Sequence, residues 1–202
     1  SGSPLPHPAT QPFLSPARVF AAPVAPDFVG AGDFDADGHW DVIVAARGGE
    51  SLYWLPGDGR GGFGTPRAVQ LSGSVTALAV GEINRRDGLD DVVVGVQDPK
   101  GFAVLVFEGP EGALRSKPEA FPLPAMVTAL ALGQLDNHYA MDLAVADGRE
   151  VRIVRGRDRK LSLDDRQRAS VAPAQVDSVS LPFAVTALAL GNFIVESEYH
   201  LE

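Results

Sequence analysis

Apolar and polar positions recur along this chain in a four-part order. A strand of small residues comes first: Phe28-Val-Gly-Ala-Gly32, Val75-Thr-Ala-Leu-Ala-Val-Gly81, Val127-Thr-Ala-Leu-Ala-Leu-Gly133 and Val185-Thr-Ala-Leu-Ala-Leu-Gly191. A polar loop follows, then a nearly continuous apolar run: Asp41-Val-Ile-Val-Ala45, Asp91-Val-Val-Val-Gly95 and Asp142-Leu-Ala-Val-Ala146. Third runs follow at Leu52-Tyr-Trp-Leu55, Ala103-Val-Leu-Val-Phe107 and Val151-Arg-Ile-Val154, with glycine soon after at Gly57, Gly109 and Gly156. More polar segments close each unit: 67–71, 119–123 and 176–181. Runs this short, punctuated by glycine, predict strands rather than helices.

The closing glycines of the first strands, at 32, 81, 133 and 191, lie roughly 50 to 58 residues apart. Four short strands per period of about 50 residues predict the blades of a β-propeller. Each strand's composition then has a reason. Small residues suit an innermost strand crowded around an axis. A continuous Val/Ile/Leu run suits a strand covered on both faces. Polar residues and nearby prolines (Pro66, Pro122, Pro182) suit an outer edge. The fold class expected is therefore all-β: a propeller of four-stranded antiparallel blades, about three and a half of them in this chain. The blades fall at about 27–72, 73–124 and 125–182, and a fourth starts at 183–202. Residues 1–26 are rich in proline and read as a leader or linker, with a first outer strand around 17–21.

One inter-strand loop carries chemistry. Asp33-Phe-Asp-Ala-Asp-Gly-His-Trp-Asp41 places carboxylates at loop positions one, three, five and nine, and glycine at six. Alternate side chains of a tight loop converge, and four carboxylates so close repel one another unless a cation lies between them. Hard oxygen ligands and a turn-making glycine point to Ca²⁺. The first half matches the D-x-[DN]-x-[DN]-G loop of an EF-hand. The second half does not: Val44 stands at position twelve, where an EF-hand needs Glu, and the loop leads into a strand.

Composition narrows the function classes. The 202 residues carry 26 acids against 17 bases, a net charge of −9, which disfavours nucleic acid as a partner. With 22 glycines and 16 prolines the chain is rich in turns. Cysteine is absent, so there is no disulfide and no thiolate site. No run approaches the roughly 20 apolar residues that span a bilayer, so membrane insertion is not expected. No signal peptide is visible. His7, His39, His138 and His200 are too scattered to form a site and read as solvated loop residues. The pairs Asp90-Asp91 and Asp164-Asp165 read as structural or solvated, because neighbours on a strand point to opposite faces. Trp40 and Trp54 read as packing residues, although an exposed tryptophan would offer a sugar-stacking surface. The mixed-charge stretch 157–175 reads as an exposed extension of the third blade.

Gly32-Asp-Phe-Asp-Ala-Asp-Gly-His-Trp-Asp-Val42, followed by the hairpin Gly57-Asp-Gly-Arg-Gly-Gly-Phe63, resembles the FG-GAP/VCBS repeats of integrin α-subunits and many secreted bacterial proteins. The resemblance covers residues 27 to 202. It implies that Asp33, Asp35, Asp37 and Asp41 bind calcium, with the backbone carbonyl of His39 as a further ligand. The second copy offers Glu82, Asn84, Asp87 and Asp91, and Arg85 or Arg86 there is placed to put a guanidinium where the ion would sit. The third copy offers Gln134, Asp136, His138 and Asp142, with Tyr139 in place of the glycine, and calcium is not expected there. The resemblance also implies a non-catalytic, extracytoplasmic module, secreted, periplasmic or at the cell surface, that binds protein or glycan in adhesion. Two other readings stay open: an accessory domain of a larger secreted carbohydrate-active enzyme, and a structural unit that builds its ring by oligomerisation. The family closes rings of about seven blades. The chain is therefore expected to be a fragment, a homodimer joined through its open edges, or an open capped array.

Overall fold

The computed structural model describes residues 17–191. Twelve strands form three separate four-stranded antiparallel sheets, each in the order of the chain. The first sheet is β1 (Phe28–Gly32), β2 (Asp41–Ala45), β3 (Ser51–Leu55) and β4 (Arg67–Gln70). The second is β5 (Ser74–Gly81), β6 (Asp91–Asp98), β7 (Gly101–Phe107) and β8 (Glu119–Leu123). The third is β9 (Val127–Gly133), β10 (Asp142–Asp147), β11 (Glu150–Val154) and β12 (Val176–Ser180). These are the three propeller blades that the repeat predicts.

The period of two in β6 decides how the blades stack. Val92, Val94 and Val96 enter one buried cluster with Ile43, Leu52 and Trp54 of the first blade. Val93 points the other way, into a second cluster with Leu143, Val145 and Val154 of the third blade. The strand is buried on both faces from Asp91 to Val96. A slip of one residue would exchange the two faces. The outer strands differ as expected: β4 and β12 are largely exposed, and Pro122 sits in the edge strand β8.

First strands lie side by side, β1 against β5 and β5 against β9. This close approach accounts for their small residues. A Cβ on Gly30 would run into the Val80 side chain, and one on Gly133 would come within 3.0 Å of Leu190. Blades are also joined through the backbone: Gly48 donates to the Val75 carbonyl at 2.8 Å, and Val75 donates back to Gly49 at 2.8 Å. Val185 repeats this beyond the third blade, donating to the Gly148 carbonyl at 2.9 Å, while its own carbonyl accepts the Thr128 hydroxyl at 2.6 Å.

Three expectations need correction. Residues 17–21 form no strand; Phe20 instead stands edge-on against Phe63, with ring centroids 4.9 Å apart. Residues 185–191 lie where the inner strand of a fourth blade belongs but form no ladder among the described residues. The leader before residue 17 and the chain from residue 192 onward lie outside the described residues. The stretch 157–175 is not a free extension. It carries one helical turn, α1 (Asp165–Arg168), capped by the Asp164 carboxylate, and folds back on the second blade through Arg157–Glu119 (2.6 Å) and Arg159–Glu108 (3.1 Å) ion pairs.

Gly95 marks the tightest approach between the second and third blades. A Cβ there would lie 2.7 Å from the Val127 Cβ and 2.8 Å from the Thr76 hydroxyl. Overpacking of this kind costs about 1–3 kcal/mol. Gly95→Ala is expected to lower the urea midpoint accordingly, and a midpoint equal to that of the unmodified chain would contradict the packing described.

Candidate metal centre

The acidic loop joins β1 to β2, and its backbone follows from its sequence. Gly38, at loop position six, has φ +83°, a conformation that side chains resist. The loop then folds on its own carboxylates. Asp33 accepts the N–H groups of Asp37 (3.2 Å) and Gly38 (2.9 Å), and Asp37 accepts that of His39 (2.8 Å). Asp33, Asp35 and Asp37 each bring an oxygen into one cluster, all within 4.8 Å of one another. Oxygens across a calcium ion, bound at about 2.3–2.6 Å, stand no more than about 5 Å apart. Asp35 Oδ1 is buried with no hydrogen-bond partner, and Oδ2 has only Arg115 at 3.6 Å. A buried carboxylate oxygen without a partner is costly. The donor set and this unpartnered oxygen fit a hard divalent cation.

Asp41 stands apart from that cluster. It is fully buried, and its two oxygens accept the N–H groups of Gly57 (2.7 Å) and Phe34 (3.1 Å). Burial raises its pKa, while those two amides, and the Trp54 indole N–H just outside hydrogen-bond geometry, pull it down. Asp41 thus ties the loop to the end of β3. Gly57 has to be glycine, because a Cβ there would strike the Trp40 carbonyl. The imidazole of His39 lies over the turn at Gly59.

The same latch recurs in the third blade. Asp142 accepts Leu135 N–H (3.0 Å) and Gly156 N–H (2.9 Å), and a Cβ on Gly156 would strike the Met141 carbonyl. The second blade keeps half of it. Asp91 accepts Ile83 N–H at 2.9 Å and is otherwise enclosed near other acids. Burial, with Glu108, Asp87 and Glu82 nearby, pushes its carboxyl up to about 9.

The other two loops hold guanidinium groups beside their acids. In the second, Arg85 pairs with Asp87 at 2.8 Å, as its position suggested. Asn84 donates to Glu108 at 2.7 Å and accepts Arg157 N–H at 3.0 Å. In the third, Arg155 reaches Asp136 (3.3 Å), Asp142 (3.6 Å) and Asp177 (2.8 Å). Sequence reading missed Arg155, because it comes from the end of β11 rather than from the loop. It also missed Asp90. That side chain packs over Gly32 beside the Asp33 backbone, and burial and the Asp33 charge raise its pKa. Asp90 brings a carboxylate of the second blade beside the first loop, and no local spacing reveals such a contact. Trp54 is buried as expected (6% exposed), whereas Trp40 is 71% exposed, against the expectation of packing.

Residues 33–94 match the family model described as FG-GAP-like repeat. No curated protein matches the chain. Among solved structures it is similar to BBS1N in a crystal structure in complex with ARL6DN, soaked with mercury. That match has 19% identity and a TM-score of 0.53, covering 84% of this chain and 44% of that one. The lead-soaked crystal of the same complex matches at 20% identity and a TM-score of 0.50, over 86% and 45% of the two chains. The chain thus spans less than half of the length of these neighbours, and the likeness concerns the propeller fold.

Two outcomes follow from the latch. Asp41→Ala and Asp142→Ala each leave two N–H groups, buried or half-buried, without their partner, and each is expected to cost about 1–3 kcal/mol in denaturant unfolding, with chelator present. A loss confined to Asp41, and abolished by chelator, would make that residue a ligand rather than a latch. Asp91 is protonated in the folded state far above its unfolded value of 3.8. Its contribution is therefore complete below that value and is lost as pH rises towards about 9. Asp91→Asn is expected to flatten the fall in stability between these limits, and parallel pH curves would contradict the assignment.

Proposed function

From an FG-GAP-like repeat set in a propeller scaffold, we propose that this chain is a non-catalytic binding module stabilised by one calcium ion. The observation that carries the reading is Asp35: a buried, unpartnered carboxylate oxygen inside a cluster of three acids. Asp33, Asp35 and Asp37 hold the ion with their carboxylates and His39 with its backbone carbonyl, while Asp41 orients the loop from behind. The bound cation supplies charge neutralisation and a brace between β1 and β2. Asp90 adds negative charge from the second blade, so the ion also stiffens the junction between blades.

The buried acids elsewhere support a non-catalytic role. Glu108 is engaged by Asn84 and Arg159, and Asp142 by two backbone amides and Arg155. Neither is free for proton transfer. We place the module outside the cytoplasm, secreted or at the cell surface, where calcium is abundant, binding a protein or glycan in adhesion. The open sides of the outer blades suit either further blades in a longer polypeptide or a second copy of the chain.

Melting with and without chelator tests the calcium claim. At a hundredfold excess over Kd, a ligand adds about 2.7 kcal/mol to stability. For a chain of this size that corresponds to a rise in Tm of about 5–10 °C. Chelation is expected to remove this increment, and Asp35→Ala to make the chain insensitive to calcium. Superimposable melts with calcium and with chelator would refute it.

A further inference from the structure

The exposed Trp40 lines a cleft of about 420 Å³ together with Phe20, Phe63 and Asp58. The cleft is built rather than incidental. Gly59, Gly61 and Gly62 line it too, and side chains at Gly59 and Gly62 would strike His39 and Asp58. Asp58 is fixed by the N–H groups of Arg60 (2.7 Å) and Gly62 (2.8 Å), both on Oδ1. Those amides hold its carboxyl below the usual range, so it is a standing negative charge beside aromatic faces. Within the chain, Arg18 already rests here: its guanidinium lies 5.3 Å from the Phe20 ring centroid and acts on Asp58.

We propose that this cleft receives an arginine or lysine side chain from an extended basic segment of a partner protein. The cation stacks on Trp40 and faces Asp58. Three observations favour this occupant. Aromatic faces next to a carboxylate attract cations. The chain carries a net charge of −9. Arg18 shows that a guanidinium fits the same surroundings. A neutral sugar needs several converging donors and acceptors, and Asp58 Oδ1 is already taken by backbone amides. The inference rests on the binding-module reading and names the partner's chemistry, but it does not depend on the calcium ion.

Calorimetric titration of the full chain in saturating calcium tests it, with amidated hexa-arginine, cellohexaose and hexaglutamate as probes. Hexa-arginine is expected to bind and the other two not. Trp40→Ala is expected to weaken hexa-arginine about fivefold, the size of a cation–π contact, and Trp40→Phe to restore part of the affinity. Asp58→Asn is expected to weaken it to a similar extent. Glu50→Gln, at an exposed acid in the turn between β2 and β3, is expected to leave it within about twofold, since one screened charge at a distance counts for little. Binding of cellohexaose in place of hexa-arginine would overturn the inference while sparing the binding-module reading. So would an unchanged affinity in Trp40→Ala, or a loss in Glu50→Gln as large as that in Asp58→Asn. Failure of hexa-arginine to bind would overturn it too, and the chelation melts would stand unaffected.

Discussion

A buried aspartate at the head of each blade's second strand is the constraint on which the rest of the structure depends. Asp41, Asp91 and Asp142 are enclosed by packed blades, yet each stands where the polar loop after the first strand must be tied down. In the first and third blades the carboxylate accepts one N–H from that loop and one from the glycine after the third strand. One side chain thus fixes three strands of a sheet. The demand reaches further, because the glycine must lack a Cβ for its backbone to come so close. The recurrence of Asp at the start and Gly at the end of the apolar pair is therefore one requirement seen twice.

Burying acids at one end of every blade creates a second demand, for positive charge. The three blades meet it differently. Arg155 reaches into the third loop from β11, touching the latch aspartate itself. The second loop uses Arg85 from within and Arg159 from the next blade, which meets Glu108 beside Asn84. The first loop has only the half-exposed Arg115 at 3.6 Å, and it keeps three clustered carboxylates. On the proposed reading calcium is the cation of the one loop that no arginine of its own blade pairs with among the described residues. The eroded loops are better seen as loops whose ion has been replaced by a side chain.

Much of this was legible in the sequence. The nearly continuous apolar run from Val92 announced a strand covered on both faces, and the repeat set the blade period. Gly38 at position six announced the turn. What stayed hidden was whatever reaches a loop from another strand or another blade. Asp90 serves a loop some fifty residues earlier in the chain, and Arg155 serves one some twenty residues earlier. A local pattern records which face of a strand is apolar, not which neighbour covers it. The same limit explains Trp40. Its place inside the acidic loop suggested packing, but its backbone is pinned by Gly57 and its ring is left outside. The 157–175 stretch misled because charge alone reads as solvation, whereas here its arginines answer acids on another blade.

The division of labour among the three loops can be counted. Equilibrium dialysis against calcium, with the bound metal measured at saturation, gives the number of ions per chain. The account predicts one, and none in Asp35→Ala. Two or three ions per chain would contradict the claim that arginine has taken the place of metal in the second and third blades, and none in the unmodified chain would contradict the centre itself.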